Sequence, residues 1–402
     1  MTADPAGALV EDYLRLGLRF GRIVDGYVDC FTGGEALRAQ VAGEPPPDPA
    51  ELARQAGRLR DALASDGDGL APDRRRFLAG QARALACAGR KLAGAEVGFV
   101  AEVEEYFDVR IEPADPQRYA ALHAELDELL PGPGPLAERV AAFQDADRLG
   151  GEDLHRGAAA MAAALRERCA GRLELPAAER VELVLTADRP WNAFNEYLGG
   201  FRSRISLNAD VGHRMTALPF VMSHEAYPGH HTEHCVKEAE LCVRRGQREH
   251  AISLVNTPQA LMAEGAGETA LAALVGPGWG AWTQEVLATA GLRLDGEVAE
   301  RVEVLTGRLL AARQDAALLL HDRGASQDEA VAYLCRWMLV PAARARQMLR
   351  FLIDPLWRAY TTTYIEGRRL VGRWLAAGEA WPRYARLIAE PLVPATLRAE
   401  TN

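Results

Sequence analysis

His224, Glu225, His230, His231 and His234 gather metal-binding and proton-transfer chemistry into eleven positions, which hold four of the chain's nine histidines. Neutral imidazole is a preferred zinc ligand, and a Glu beside the first His is the usual general base of zinc hydrolases. The common His-Glu-x-x-His spacing works because i and i+4 share one helical face. In His224-Glu225-Ala226-Tyr227-Pro228-Gly229-His230-His231 the i+4 residue is Pro228, which cannot bind a metal. The second ligand must come later. On an unbroken helix, i+6 lies about 120° from the first His, while i+7 returns to its face about 10 Å further along the axis. Pro228 removes a backbone donor, and Gly229 tolerates unusual dihedrals. A bulge at 227–229 is therefore expected to bring His230 round to His224, with His231 as the alternative ligand. A His-rich helix end without a metal is the competing reading.

A third ligand is expected from 258–274, which reads as a helix with an apolar body. Glu264 and Glu268 stand at i and i+4, so their carboxylates share a face, an unfavourable pairing unless a cation is near. Gly265 and Gly267 cost helix propensity and permit close backbone approach. This assigns Glu264 to the metal and Glu268 to the free N–H of a ligating His. His/His/Glu suits Zn²⁺ best, one ion per chain, with other divalent metals compatible. Cys235 lies near the cluster and reads equally as a small core residue.

These motifs resemble the bacterial family called domain of unknown function 885. Its members are similar to the helical zinc peptidases of the carboxypeptidase Taq, neurolysin and angiotensin-converting enzyme groups. The resemblance spans roughly residues 180–370 and rests on His224–His231 together with the later Glu264-Gly265. It implies a mainly α, zinc-peptidase-like fold and metal-dependent peptide or amide hydrolysis. The family usually carries an aromatic two residues after the Glu, where this chain has Ala266 and then Gly267. The stretch from Pro355 to Gly367 resembles the family's Pro…Tyr-x-x-Gly segment but lacks the usual Gly-Gln after the Pro.

The chemistry expected is a water-mediated attack on a carbonyl, with Glu225 taking and returning the proton. A developing oxyanion needs a donor besides the metal. Tyr364 is the first candidate and Tyr360, one helical turn earlier, the second; His231 serves if it is not a ligand. A substrate carboxylate needs a cation, for which Arg202, Arg204 and Arg358 are candidates. Asn208 is a further candidate substrate contact. A metal-dependent lyase or amide hydrolase acting on a metabolite, and a non-catalytic metal-binding helical protein, are the alternative functions. Retention of Glu225 speaks against the last, because a structural site needs no base.

The elements that must position these groups read as helices almost throughout, since Ala, Leu, Arg and Glu dominate and apolar residues recur every three or four positions. Helical stretches are expected at 9–31, 50–64, 73–106 with a break near Gly89 or Gly94, 135–148 and 153–169. Pro131-Gly-Pro-Gly-Pro135 marks a loop, and with it a boundary between an N-terminal helical region, 1–135, and a metal-site region, 136–402, which can also form one continuous domain. Residues 180–185 and 201–208 alternate like short strands, giving a small sheet edge before the metal-binding helix. Trp191, Asn192, Asn195 and Tyr197 fall in the connection between them.

The 402 residues are 49% hydrophobic and 25% charged, the profile of a globular enzyme. A net charge of −10 argues against nucleic acid or an anionic membrane as partner. Six scattered cysteines without a C-x-x-C pair suggest reduced thiols. The N-terminus lacks a basic region followed by an apolar run, so a cytoplasmic location is expected.

Overall fold

Helices occupy most of the chain in the computed structural model, which describes residues 4–65, 69–189 and 191–401. The mainly α expectation holds. Residues 1–3, the start of the stretch read for a targeting signal, lie outside the described residues. Several helix starts follow directly from Asp-Pro pairs. Asp4, Asp48 and Asp115 accept backbone N–H groups of the first turns of Pro5–Gly21, Pro49–Leu63 and Pro116–Leu129. Each Pro occupies the first helical position, where its missing donor costs nothing. None of the described helices is long and apolar enough to cross a membrane.

One helical expectation is corrected. Residues 9–31 do not form one helix: Pro5–Gly21 ends, and 28–31 is a strand. Its partner, Ile252–Leu254, is remote in sequence, so the pairing that makes it a strand left no local signal. Residues 73–106 break as expected, into Pro72–Leu92 and Phe99–Phe107, with Gly94 in the left-handed region at the break.

The strands are β1 (Val28–Phe31), β2 (Arg180–Thr186), β3 (Ala193–Gly199), β4 (Arg202–Asn208) and β5 (Ile252–Leu254). β1 pairs antiparallel with β5. The other sheet has the order β2-β4-β3, with β2 parallel and β3 antiparallel to β4. Both expected strands are present. The segment holding Asn195 and Tyr197 is a strand too, not a plain connection. It makes the hairpin with β4 through Gly199, Gly200 and Phe201, all at positive φ. β3 therefore forms one edge of this sheet.

The largest apolar core joins residues of the first 126 positions, such as Tyr13, Phe20 and Leu85, to Val302, Leu334 and Leu352. The boundary expected at 135/136 does not divide this packing. A second core packs Leu154, Met161 and Leu165 against Ile205, Leu207, Leu218 and Met222, between the β2-β4-β3 sheet and the helices beside it. All six cysteines are free thiols.

Three ties bring the C-terminal segment over the 258–274 helix. Buried Glu102 receives Arg358 at 2.9 Å and also binds Lys91. Asn256 Nδ2 donates to the Leu356 carbonyl at 2.7 Å. Gly265 then meets Gly367 backbone to backbone: a Cβ on Gly265 would lie 2.7 Å from the Gly367 carbonyl oxygen, and one on Gly367 would lie 2.7 Å from the Leu261 oxygen. Gly265→Ala is expected to lower stability by about 1–3 kcal/mol through overpacking, although Ala is the better helix former. Denaturant unfolding checks this; equal or higher stability would show that the two segments are not locked together.

Candidate metal centre

His224 ends the helix Leu218–Glu225, and His230 begins the helix His230–Lys237. The chain breaks between them through a cis Tyr227–Pro228 peptide and Gly229. Gly229 N–H reaches back to the Ser223 carbonyl at 2.9 Å, and a Cβ there would lie 2.0 Å from the His224 carbonyl oxygen. Only glycine fits this turn. The two imidazoles consequently meet edge to face, with ring centroids 4.6 Å apart. Glu264, on the helix Pro258–Leu274, places Oε2 3.1 Å from His224 Nε2 and 3.9 Å from His230 Nε2. One donor atom from each of the three residues lies within 4.8 Å of the others. His230, rather than His231, is the histidine brought to His224.

The donor set fits a divalent cation. Two imidazoles and a carboxylate are the ligands of open, catalytic zinc sites, with bonds of about 2.0–2.2 Å that hold neighbouring donors roughly 3–4 Å apart. Glu264 Oε2 is buried without a hydrogen-bond partner: His224 Nε2 is close, but not in hydrogen-bond geometry. Such an atom carries a desolvation cost unless a positive charge meets it, a metal ion or, without one, the proton on His224. Its sister Oε1 accepts a 2.6 Å hydrogen bond from the Tyr360 hydroxyl. Burial alone would raise the Glu264 pKa; the charges of His224 and His230 and the Tyr360 bond outweigh burial and hold it below the usual range.

Other carboxylates surround this group. Glu268 Oε1 lies 3.8 Å from His224 Nδ1, beside the ring nitrogen that faces away from Glu264. Gly267 packs flat on the same ring, where a Cβ would lie 2.6 Å from Nδ1. Burial raises the pKa of Glu225, opposed by His224 and His230. Asn195 Nδ2, on β3, donates to the Glu225 carbonyl at 2.5 Å and fixes that helix end. The metal-free His224 imidazole feels burial first, which disfavours its proton. The Glu264 contact and the charges of Glu264, Glu225 and Glu268 overcome it and push the pKa up to about 10.

Tyr364 stands on a π-helical turn, Thr363–Gly367, with its ring 6.4 Å from that of His224. Such turns widen a helix and recur at functional sites. Its hydroxyl makes no hydrogen bond among the described residues, whereas that of Tyr360 is committed to Glu264.

Five expected residues are not brought to the cluster. His231 is fully buried on the sheet side, with Nδ1 2.8 Å from Ser203 Oγ and its ring against Tyr227 and Cys235. One residue beyond His230, it points a quarter-turn away, and burial pushes its pKa down to about 4. Arg202 and Arg204 lie on the exposed face of β4, because strand alternation turns Ser203, Ile205 and Leu207 inward. Arg204 pairs there with Glu182 and Glu196. Asn208 is buried, bonding the carbonyls of Arg189 and Trp191 and capping the turn that follows. Arg358, the other candidate cation, is consumed by Glu102.

Three residues near the centre had no local signal. Tyr384 is fully buried, and its hydroxyl lies 3.2 Å from the Pro228 carbonyl and 3.1 Å from that of Ala266, joining the two motif segments. Asp29, on β1, is reached by solvent yet ringed by protein, as a group lining a cleft is. Burial pushes its pKa up to about 6, with His230, Glu264 and Glu225 acting on it. It also lines a cavity of about 440 Å³ with Phe31, Glu196, Tyr197 and Leu198 between β1 and β3. Arg313 is the third.

No family model matches the chain, and no curated protein matches it. Solved structures share its fold, two of them described as lipoproteins. A "putative lipoprotein" from Colwellia psychrerythraea aligns with a TM-score of 0.56 and 15% identity, over 88% of this chain and 67% of its own. A "putative lipoprotein of unknown function" from Shewanella oneidensis aligns with a TM-score of 0.52 and 12% identity, over 95% of this chain and 69% of its own. At these identities the likeness is one of fold.

Proposed function

We propose that this protein is a metal-dependent hydrolase that cleaves peptide or amide bonds, with His224, His230 and Glu264 holding zinc. The observation that carries the reading is the meeting of these three donors around a buried carboxylate oxygen with no hydrogen-bond partner, beside Glu225. A divalent ion in such a set supplies Lewis acidity, polarising a carbonyl and lowering the pKa of water.

The chain's own residues account for the remaining chemistry. Glu225 accepts a proton from the attacking water and returns it to the leaving amine. Its raised pKa brings it nearer neutrality, where one group serves as both base and acid. Tyr364, with its hydroxyl uncommitted, donates to the substrate oxygen as negative charge develops. Tyr360 and Glu268 are positioning residues that orient Glu264 and His224. β3, beside the base through Asn195, offers an edge against which an extended peptide pairs.

Metal analysis of the purified wild-type protein, with peptide turnover followed after chelation and zinc re-addition, tests this reading. About one ion per chain is expected, with turnover lost on chelation and restored by zinc. A zinc-reconstituted protein that holds no metal, or turnover indifferent to chelation, would sink the proposal.

A further inference from the structure

Arg313 lies in the first turn of the helix Ala311–His321. Its guanidinium makes no hydrogen bond and no ion pair among the described residues, and its Nε is buried without a partner. The guanidinium carbon lies over the Phe351 ring, 6.0 Å from its centroid. Of the charged groups near it, Glu268 attracts and Arg344 repels, and the neutral phenol of Tyr364 lies close by. Glu268 and Tyr364 both lie beside His224: Glu268 at Nδ1, the ring nitrogen away from Glu264, and Tyr364 with its ring 6.4 Å from the imidazole.

An arginine in this position needs an explanation. Most arginines with fixed partners here meet carboxylates, as Arg19 meets Glu44, Arg74 meets Glu249 and Arg358 meets Glu102. A half-buried cation with no ion-pair partner carries a desolvation cost, and this partial burial presses the Arg313 pKa downward. Arginine nevertheless stays protonated at neutral pH. Its fork of donors matches a carboxylate with two parallel hydrogen bonds. The arginines that sequence alone offered for this task, Arg202, Arg204 and Arg358, are solvent-facing or already paired.

We infer that Arg313 is the anchor for a substrate carboxylate, so that the site acts on peptides or acyl-amino acids from their free C-terminal end. This rests on the hydrolase reading above for the chemistry, but the anchor is a binding property and is tested separately. The carboxylate can come from the C-terminus or from an acidic side chain, and the probes distinguish the two.

The experiment measures calorimetric binding of N-acetyl dipeptides to the zinc-loaded Glu225→Gln protein, with and without Arg313→Gln. Three probe sets are compared: neutral dipeptides ending in a free acid, the same dipeptides as C-terminal amides, and amides carrying a Glu side chain. Free acids are expected to bind about 10- to 100-fold tighter than neutral amides, and Arg313→Gln removes that preference. Arg313→Lys restores only part of it, because the fork is lost. Thermal stability without ligand is expected to stay equal or rise in Arg313→Gln, a result that a structural arginine would not give. The C-terminal assignment is overturned by equal binding of acids and amides, by an acid preference that survives Arg313→Gln, by the Glu-bearing amides matching the acids, or by no binding at all. Arg313-dependent acid binding in a protein whose Glu225 form turns over no peptide would instead defeat the hydrolase reading and leave the anchor standing.

Discussion

Glu225→Gln is expected to keep its metal and lose turnover by about 10²- to 10⁴-fold, the usual contribution of a positioned general acid–base group. The substitution preserves shape and removes only the capacity to take a proton. Glu225 belongs to the last turn of Leu218–Glu225, and Asn195 holds its backbone carbonyl, so the amide side chain inherits the same placement. Burial, the main cause of its raised pKa, also strengthens its action on a reacting proton by excluding water. Metal content and steady-state turnover, measured side by side, decide the matter. Retained turnover at wild-type metal content would remove Glu225 from the chemistry; lost metal would recast it as a ligand.

The second large effect is on the metal itself. His224→Ala removes the donor closest to Glu264 and is expected to abolish stoichiometric zinc binding. In the wild type, zinc added in large excess over its dissociation constant is expected to stabilise the folded state by about 3–4 kcal/mol, so that the unfolding temperature rises with zinc. In His224→Ala that rise disappears. The wild-type affinity also depends on pH. His224 is protonated in the metal-free protein up to about 10, and zinc must displace that proton. Apparent affinity therefore increases as pH rises toward that value. Conversely, protonated His224 stabilises the metal-free fold fully below about 6.5, a contribution that fades as pH rises through about 10 and that the Ala variant lacks. Thermal unfolding across this window, with and without zinc, reads both effects. A zinc shift that persists in His224→Ala would place the ion elsewhere.

Much of this arrangement was legible in the residues because it is local. The His224–His231 octapeptide announced its own break: Pro228 and Gly229 cannot continue a helix, and the structure turns there and brings His230 to His224. The 258–274 helix was bounded correctly, since Thr257 caps it and Pro258 opens it. The strand character of 180–185 and 201–208 was visible as alternation.

Contacts between distant segments were invisible. β1 reads as helix in sequence because Val28 and Cys30 find their partners only at Leu254 and Ser253. His231 and Asn208 looked available because polarity does not reveal burial; each spends its side chain within the fold. Arg358 is ordinary in sequence and becomes unavailable only when Glu102 arrives beside it. Arg313, one arginine among many, stands out only because its Nε is buried and no partner comes to meet it. The residue types and spacing thus determined which groups can bind a metal and move a proton, since ligand chemistry and helix breaks are properties of short segments. The tertiary structure alone decided which charges are paired and which remain open to a substrate, because burial and ion pairing depend on what the rest of the chain packs against each group.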